Sequence, residues 1–403
     1  MNHILRYGID SSIHLESSDN SVWVANETPE NVIEAPFKAT VGSLGSPLDY
    51  PALDRCVVPG DRVVLALGVA VPGVDQIVAA TIDQLLRAEV DPEDITVLKP
   101  FDDGVDCSQL VPDDVRSKIS QEVHDAKDPD RLAHLAITES GEPVLLNRLI
   151  ADADFVLPIG CCRDADDAGY FGAGDTIFPT FADKKTIRQF RAPGLLDQGG
   201  KVKKRLIRQV GQVGWLLGAA FAIRVVPGPA GKILAVLAGE TNSVEKQARK
   251  LYDSAWQVLP DGESKMVVAL IEGSAEEQTW HNIARAVEVA SRFTENDGAI
   301  VICSELAAEP GPALALLQWA GVDARDSVLK QISKDRHYDV LTTTRLLRVL
   351  KKHRVFLLSQ LDQAYVETLD FVHVESEDEI ARLVQQYGNC VVLRDAAHIA
   401  VKT

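Results

Sequence analysis

The chain has 403 residues, 46% of them hydrophobic and 25% charged, which suits a globular protein large enough for two domain cores. Its formal charge of -18 at pH 7 disfavours non-specific binding to nucleic-acid phosphates or anionic membranes, so neither is an expected partner. Met1 to Leu15 is interrupted by Arg6 and Asp10 and lacks the apolar core of a secretory signal.

In chain order, short runs that are apolar throughout predict buried parallel strands at Arg62–Leu67, Ile95–Leu98, Asp154–Ile159, Met266–Ile271 and Ala299–Cys303. Apolar residues at helical spacing predict helices over Val74–Ala88 and Asn282–Phe293. The longest apolar stretches, Val63–Val74 and Val213–Ile223, are too short to cross a hydrocarbon layer of about 30 Å as a helix. Alternating strands and helices imply an α/β fold: two Rossmann-like α/β domains with an interdomain cleft, and ligand sites beyond the C-terminal ends of the strands. The polar segment Leu259–Lys265 sets the expected boundary, giving domains 1–262 and 263–403, with the last residues able to pack back on the first.

Six cysteines, at 56, 107, 161, 162, 303 and 390, form no CxxC pair and are read as reduced structural thiols of a cytoplasmic protein. Gly172-Ala-Gly174 could admit a phosphate or serve a tight turn, because the full GxGxxG pattern is missing. Asp164, Asp166 and Asp167, with Asp175, offer hard oxygens for Mg²⁺ or Ca²⁺, but a solvated loop is the expectation and no metal site is assigned. From Lys184 to Arg208 nine Lys or Arg face a single acid, Asp197, which reads as the polar side of surface helices or an anion site. His124, His281, His337 and His353 are scattered without an HxxxH or HxH pair, so structural histidine is the expectation for each. No GxSxG elbow or P-loop is present.

A series of phrases in order carries a family resemblance: Ala39 to Leu48, Gly60-Asp-Arg-Val-Val64, His124-Asp-Ala126, Gly141 to Arg148, Asp152-Ala-Asp-Phe-Val156, Ala168-Gly-Tyr-Phe-Gly-Ala-Gly174, and Val267-Val-Ala269 followed by Trp280 to Ala286. Over roughly residues 4 to 320 the chain resembles the nickel-pincer lactate racemases. The resemblance implies two α/β domains around a cleft and a pyridinium mononucleotide that carries nickel and is tethered to a lysine. That cofactor accepts hydride from C2 of lactate while two histidines exchange the hydroxyl proton.

At the matching positions this chain differs. The tethering lysine corresponds to Asp175, and the loop's catalytic histidine to Ala165. The nickel histidine falls at Phe190 or Arg191. The segment Lys99 to Cys107, where the second catalytic histidine belongs, contains none. Gly68-Val-Ala-Val-Pro72 stands where the family keeps an Asp-x-Thr-Arg-Pro phrase for phosphate and carboxylate contacts. The resemblance places Arg285 at the position of a substrate-binding lysine, with Asn282 and His281 beside it. Residues 281, 285 and 288 share one helix face, opposite Ile283 and Val287. Arginine holds a carboxylate bidentately, so Arg285, Asn282 and His281 are the candidate ligand contacts, with Gly172, Gly174 and Asp175 as the cleft loop. The expectation is a racemase-like protein that binds a small carboxylate without the nickel-pincer cofactor or its hydride chemistry. A 2-hydroxyacid racemase or epimerase with a rearranged active site is the alternative.

Overall fold

The computed structural model describes residues 2–16, 22–102, 106–138, 141–196, 199–319, 327–328, 330–332 and 338–402. Its strands in chain order are β1 (Asn2–Tyr7), β2 (Ser11–Glu16), β3 (Val22–Val24), β4 (Val63–Leu67), β5 (Ile95–Lys99), β6 (Ser120–Val123), β7 (Leu132–Ile137), β8 (Pro143–Asn147), β9 (Phe155–Cys161), β10 (Phe221–Pro227), β11 (Ile233–Glu240), β12 (Gln257–Val258), β13 (Ser264–Leu270), β14 (Thr294–Cys303), β15 (Arg354–Leu358), β16 (Val372–Val374), β17 (Cys390–Leu393) and β18 (Ala400–Val401).

Two six-stranded sheets organise these strands, in the orders β11-β10-β9-β4-β5-β6 and β16-β15-β14-β13-β17-β3. The second is parallel throughout, and the first is parallel except for β11, which runs antiparallel to β10. The α/β class read from the sequence is what the chain adopts. The five runs expected as buried strands all lie in these sheets, where apolar side chains on both faces are covered by helices. The helix expected at Val74–Ala88 spans Val74–Arg87 and opens after Gly73, whose φ of 60° glycine adopts without a Cβ penalty. The second expected helix spans Trp280–Ala290, capped by the Thr279 side chain, which accepts from the Asn282 amide.

The sheets do not divide the chain at a single point near 262. Although they open the chain, β1 to β3 belong with the second sheet: β3 pairs in parallel with β17, and the β1–β2 hairpin packs on that sheet, with Leu5, Ile13, Leu15 and Val22 against Val268, Val301 and Val392. The reason is apolar burial, since β1 and β2 form a two-stranded hairpin that has no core of its own. At the other end β18 pairs with β12, and Ala400 packs among Cys162, Val226, Ala248, Tyr252 and Trp256 of the first half. Both termini therefore cross the division and tie the halves together.

Among the described residues no helix is long and apolar enough to cross a membrane. Ile13→Ala should cost about 2–5 kcal/mol, the range for a truncated core aliphatic, because Ile13 is fully buried against the second sheet. Urea unfolding measures it, and a loss under about 0.5 kcal/mol would mean that the N-terminal hairpin contributes nothing to that core.

Candidate functional site

A cavity of about 310 Å³ opens where β4 and β9 end, beside Arg224 in the middle of β10, and the second half closes it with Trp280, His281, Tyr338, Leu341 and Thr342. Its position at the carboxyl ends of parallel strands is where a doubly wound sheet leaves a crevice.

Arg224, on β10, forms the floor and is 1% exposed. Its Nη2 donates to the Tyr170 hydroxyl at 2.6 Å and its Nη1 to Thr176 Oγ1 at 3.1 Å. The Tyr170 hydroxyl donates to Glu245, whose Oε1 lies 2.8 Å away, and Arg224 Nε lies 3.5 Å from Glu245 Oε2. Burial alone would lower the proton affinity of Arg224, but Tyr170, Glu245 and Asp175 reverse that and leave it raised. Gly160 makes the arrangement possible. A Cβ there would lie 2.2 Å from Thr176 Oγ1 and 2.3 Å from Arg224 Nη1, so only glycine lets β9 pass this close.

Asp175 lines the cavity from the turn after Gly172, a residue at φ 92° that glycine tolerates. Its Oδ2 accepts from the Phe171 amide at 3.0 Å, and its Oδ1 lies 3.9 Å from Arg224 Nη1. Burial pushes its carboxyl up to about 6, against the pull of Arg224. The three residues expected as the cleft loop, Gly172, Gly174 and Asp175, do form one turn, and of these Asp175 faces the cavity.

Arg163 and Arg191 also line the cavity. Arg163 Nη2 donates to the Val69 carbonyl at 3.2 Å, and neither guanidinium forms an ion pair with a described carboxylate. Burial first and the charge of Arg163 second lower the proton affinity of Arg191. His281 Nε2 is buried without a hydrogen-bond partner. Burial, then Arg163, holds the His281 ring well below the usual histidine range, so its imidazole is neutral. His281 was read from sequence both as a structural histidine and as a ligand contact, and it stands on the cavity wall.

Arg285 and Asn282 lie elsewhere. Arg285 Nη1 sits 3.6 Å from Asp167 Oδ2, and the side chain lines a separate 40 Å³ pocket with Asp164, Asp166 and Arg345. Asn282 donates to the carbonyl of Glu277 at 2.8 Å and to its carboxylate at 3.1 Å. The expected solvated acidic loop is corrected for Asp167, which is 7% exposed and paired with Arg345 as well as Arg285. Burial would raise the Asp167 carboxyl, but Arg345 and then Arg285 hold it well below the carboxylate range. Among the described residues no group of three or more His, Cys, Asp or Glu is placed to hold a metal ion.

His124 is structural: Nε2 lies 2.9 Å from the Ala182 carbonyl and Nδ1 3.1 Å from Asn147 Nδ2. His353 is 8% exposed, and His337, Asp197 and residues 103–105 of the Lys99–Cys107 segment lie outside the described residues. In the basic stretch, Lys201, Lys204, Arg205 and Arg208 are exposed, as surface-helix residues should be. Arg191 instead enters the cavity, and Lys203 donates to the Ala165 and Asp167 carbonyls. Cys161 reaches the cavity and Cys162 is fully buried, with burial pushing the thiols up to about 11 and about 12. Sequence reasoning missed Arg224 and Arg345 as site builders. A lone arginine inside the apolar strand Phe221–Pro227, and another inside the helix Val340–Leu350, was the available signal.

Two six-stranded, mostly parallel sheets closing on an arginine-lined cavity define a cleft protein of the doubly wound α/β class. Residues 7–198 match the family model of the lactate racemase N-terminal domain. Its fold is that of the lactate racemase apoprotein from Thermoanaerobacterium thermosaccharolyticum, with TM-score 0.81 and 16% identity over 100% of both chains. A structural-genomics protein from Thermotoga maritima is similar at TM-score 0.64 and 11% identity, covering 93% of this chain and 100% of that one. No curated protein matches in sequence. The lysine-tethered nickel group of the resemblance would need a lysine and neutral nitrogen ligands on the cavity wall. Among the described residues the wall holds no lysine, Asp175 occupies the turn, and the nitrogen donors are guanidinium groups and one imidazole. This donor set does not fit the group.

Asp167→Ala should cost about 3–5 kcal/mol in denaturant unfolding at pH 7, because it strands two buried guanidinium groups. The folded carboxyl is depressed, so its contribution is complete above the unfolded value of about 3.9 and is lost as pH falls through the folded one. A variant as stable as the parent would show that these pairs do not hold the halves.

Proposed function

We propose that this chain binds a small 2-hydroxycarboxylate in the cavity between its sheets, without nickel-pincer hydride chemistry. The observation that carries the reading is the unpaired cationic wall: Arg163 and Arg191 face the cavity beside the partnerless Nε2 of a neutral His281. A guanidinium presents two parallel N–H groups to a carboxylate, and a neutral imidazole can bond a hydroxyl. The role first given to Arg285 passes to these two arginines, because Asp167 already neutralises Arg285.

Asp175 makes this binding pH-dependent. Below about 6 its carboxyl is neutral, and above that value it adds a negative charge facing the incoming anion. Arg224 and Arg163 pull the carboxyl down and Glu245 pushes it up, while His281 stays neutral over the range. The dissociation constant of lactate, measured by calorimetry, should rise between pH 5 and pH 7.5. In Asp175→Asn that rise should vanish; an identical pH profile in the variant would remove Asp175 from the binding reaction.

A second reading, a 2-hydroxyacid racemase or epimerase with a rearranged site, draws on the same pair of cavity groups, since Asp175 and His281 are both able to exchange protons. Chiral chromatography of R- or S-lactate incubated with protein produced alongside cofactor-synthesis enzymes separates the readings, together with intact mass and nickel analysis. The binding reading expects unchanged enantiomer, unmodified mass and no stoichiometric nickel. Interconversion with a nucleotide-sized adduct would replace it by the family chemistry, and interconversion without one would favour the rearranged site.

A further inference from the structure

Guanidinium groups that face one cavity without an ion-paired acid carry a cost, and the cost constrains what the cavity accepts. Arg163 comes from the loop after β9, and Arg191 ends the helix Lys184–Phe190, so two separate elements deliver charge to one wall. The acids that share the cavity are already engaged. Asp175 accepts from the Phe171 amide and faces Arg224. Asp339 accepts from the Ala313 and Leu314 amides at 3.0 and 3.1 Å. Arg191 feels only burial and the like charge of Arg163, both of which oppose its protonated form.

A monocarboxylate brings one charge and two oxygens, which a single guanidinium satisfies bidentately. It would leave the second guanidinium, half-buried in the cavity wall, without an ion-pair partner, which costs in proportion to its desolvation. We infer that the acid held in this cavity is a dianion, a dicarboxylate or a phosphate monoester, with negatively charged oxygens on both Arg163 and Arg191. This deepens the carboxylate-binding reading and rests on it. His281, neutral and with a free ring nitrogen, is left for an uncharged group of the same molecule.

The inference predicts opposite signs for stability and binding at one residue. Replacing Arg191 by methionine removes a poorly compensated charge, so the ligand-free protein should melt at the same temperature or higher, while dianion affinity falls. An arginine that served only structure would do the reverse. The experiment is isothermal titration of the parent, Arg191→Met and Arg163→Met with lactate, malate and 2-phosphoglycolate, plus melting of each free protein.

Malate or 2-phosphoglycolate should bind at least about 10-fold more tightly than lactate, equivalent to about 1.4 kcal/mol, and each variant should lose most of that advantage. Preference for malate identifies a dicarboxylate, and preference for 2-phosphoglycolate a phosphate monoester. Equal affinity for all three acids overturns the dianion and leaves carboxylate binding intact. Binding of none overturns both. A free Arg191→Met protein that melts well below the parent, with Arg163→Met doing the same, makes the arginines structural and also overturns the inference.

Discussion

Asp167 sits between two guanidinium groups that belong to the other half of the molecule, and the site depends on that contact. Arg285 comes from the helix Trp280–Ala290 and Arg345 from the helix Val340–Leu350, so one carboxylate draws both helices onto the loop after β9. Removing three charges from water costs several kcal/mol for each ion, and only mutual pairing in a fixed geometry offsets that. Glu288 adds a second acid 3.2 Å from Arg345, which brings the cluster close to neutral. Lys203 grips the same loop from the opposite side through the Ala165 and Asp167 carbonyls. A loop held from both sides fixes Arg163 and Tyr170 within it, and the helix bearing Arg345 brings Leu341 and Thr342 over the cavity.

The arginines around the cleft fall into two kinds by their partners. Arg224, Arg285 and Arg345 each lie within 4.0 Å of an acid and are buried, so their charges are used up in holding the fold. Arg163 and Arg191 face open space with no described acid in that range. Buried ions are normally paired, so an unpaired guanidinium on a cavity wall is a feature that packing does not explain. The proposed carboxylate site rests on this contrast and not on the number of arginines.

Periodicity made the fold legible where runs were long and apolar on both faces, as at Val63–Leu67 and Met266–Leu270. It was silent at Val22–Val24, because a three-residue edge strand carries too little pattern, and its partner β17 lies near the far end of the chain. The cleft loop at Gly172–Asp175 was legible through its glycines. The pairing of Asp167 with Arg345 was not, since 178 residues separate the two and nothing local marks either as the other's partner. The pairing of Asp167 with Arg285 is equally hidden, which is why Arg285 looked free in sequence. An arginine on a helix face reads as a ligand contact until the acid that quenches it is located in space.

The backbone match at 16% identity shows how little sequence this scaffold requires. What persists is the alternation of buried strands and covering helices, which many apolar residues can satisfy. Cavity walls are under no such constraint, because a side chain that faces empty space can change without disturbing the packing behind it. On the resemblance, Phe190 or Arg191 stands where a neutral nickel ligand would project, and of the two it is Arg191 whose guanidinium lacks a partner. A substitution of that kind alters charge and donor geometry at the point of ligand contact while the strand order stays as it was. One fold can therefore carry cavities of different chemistry.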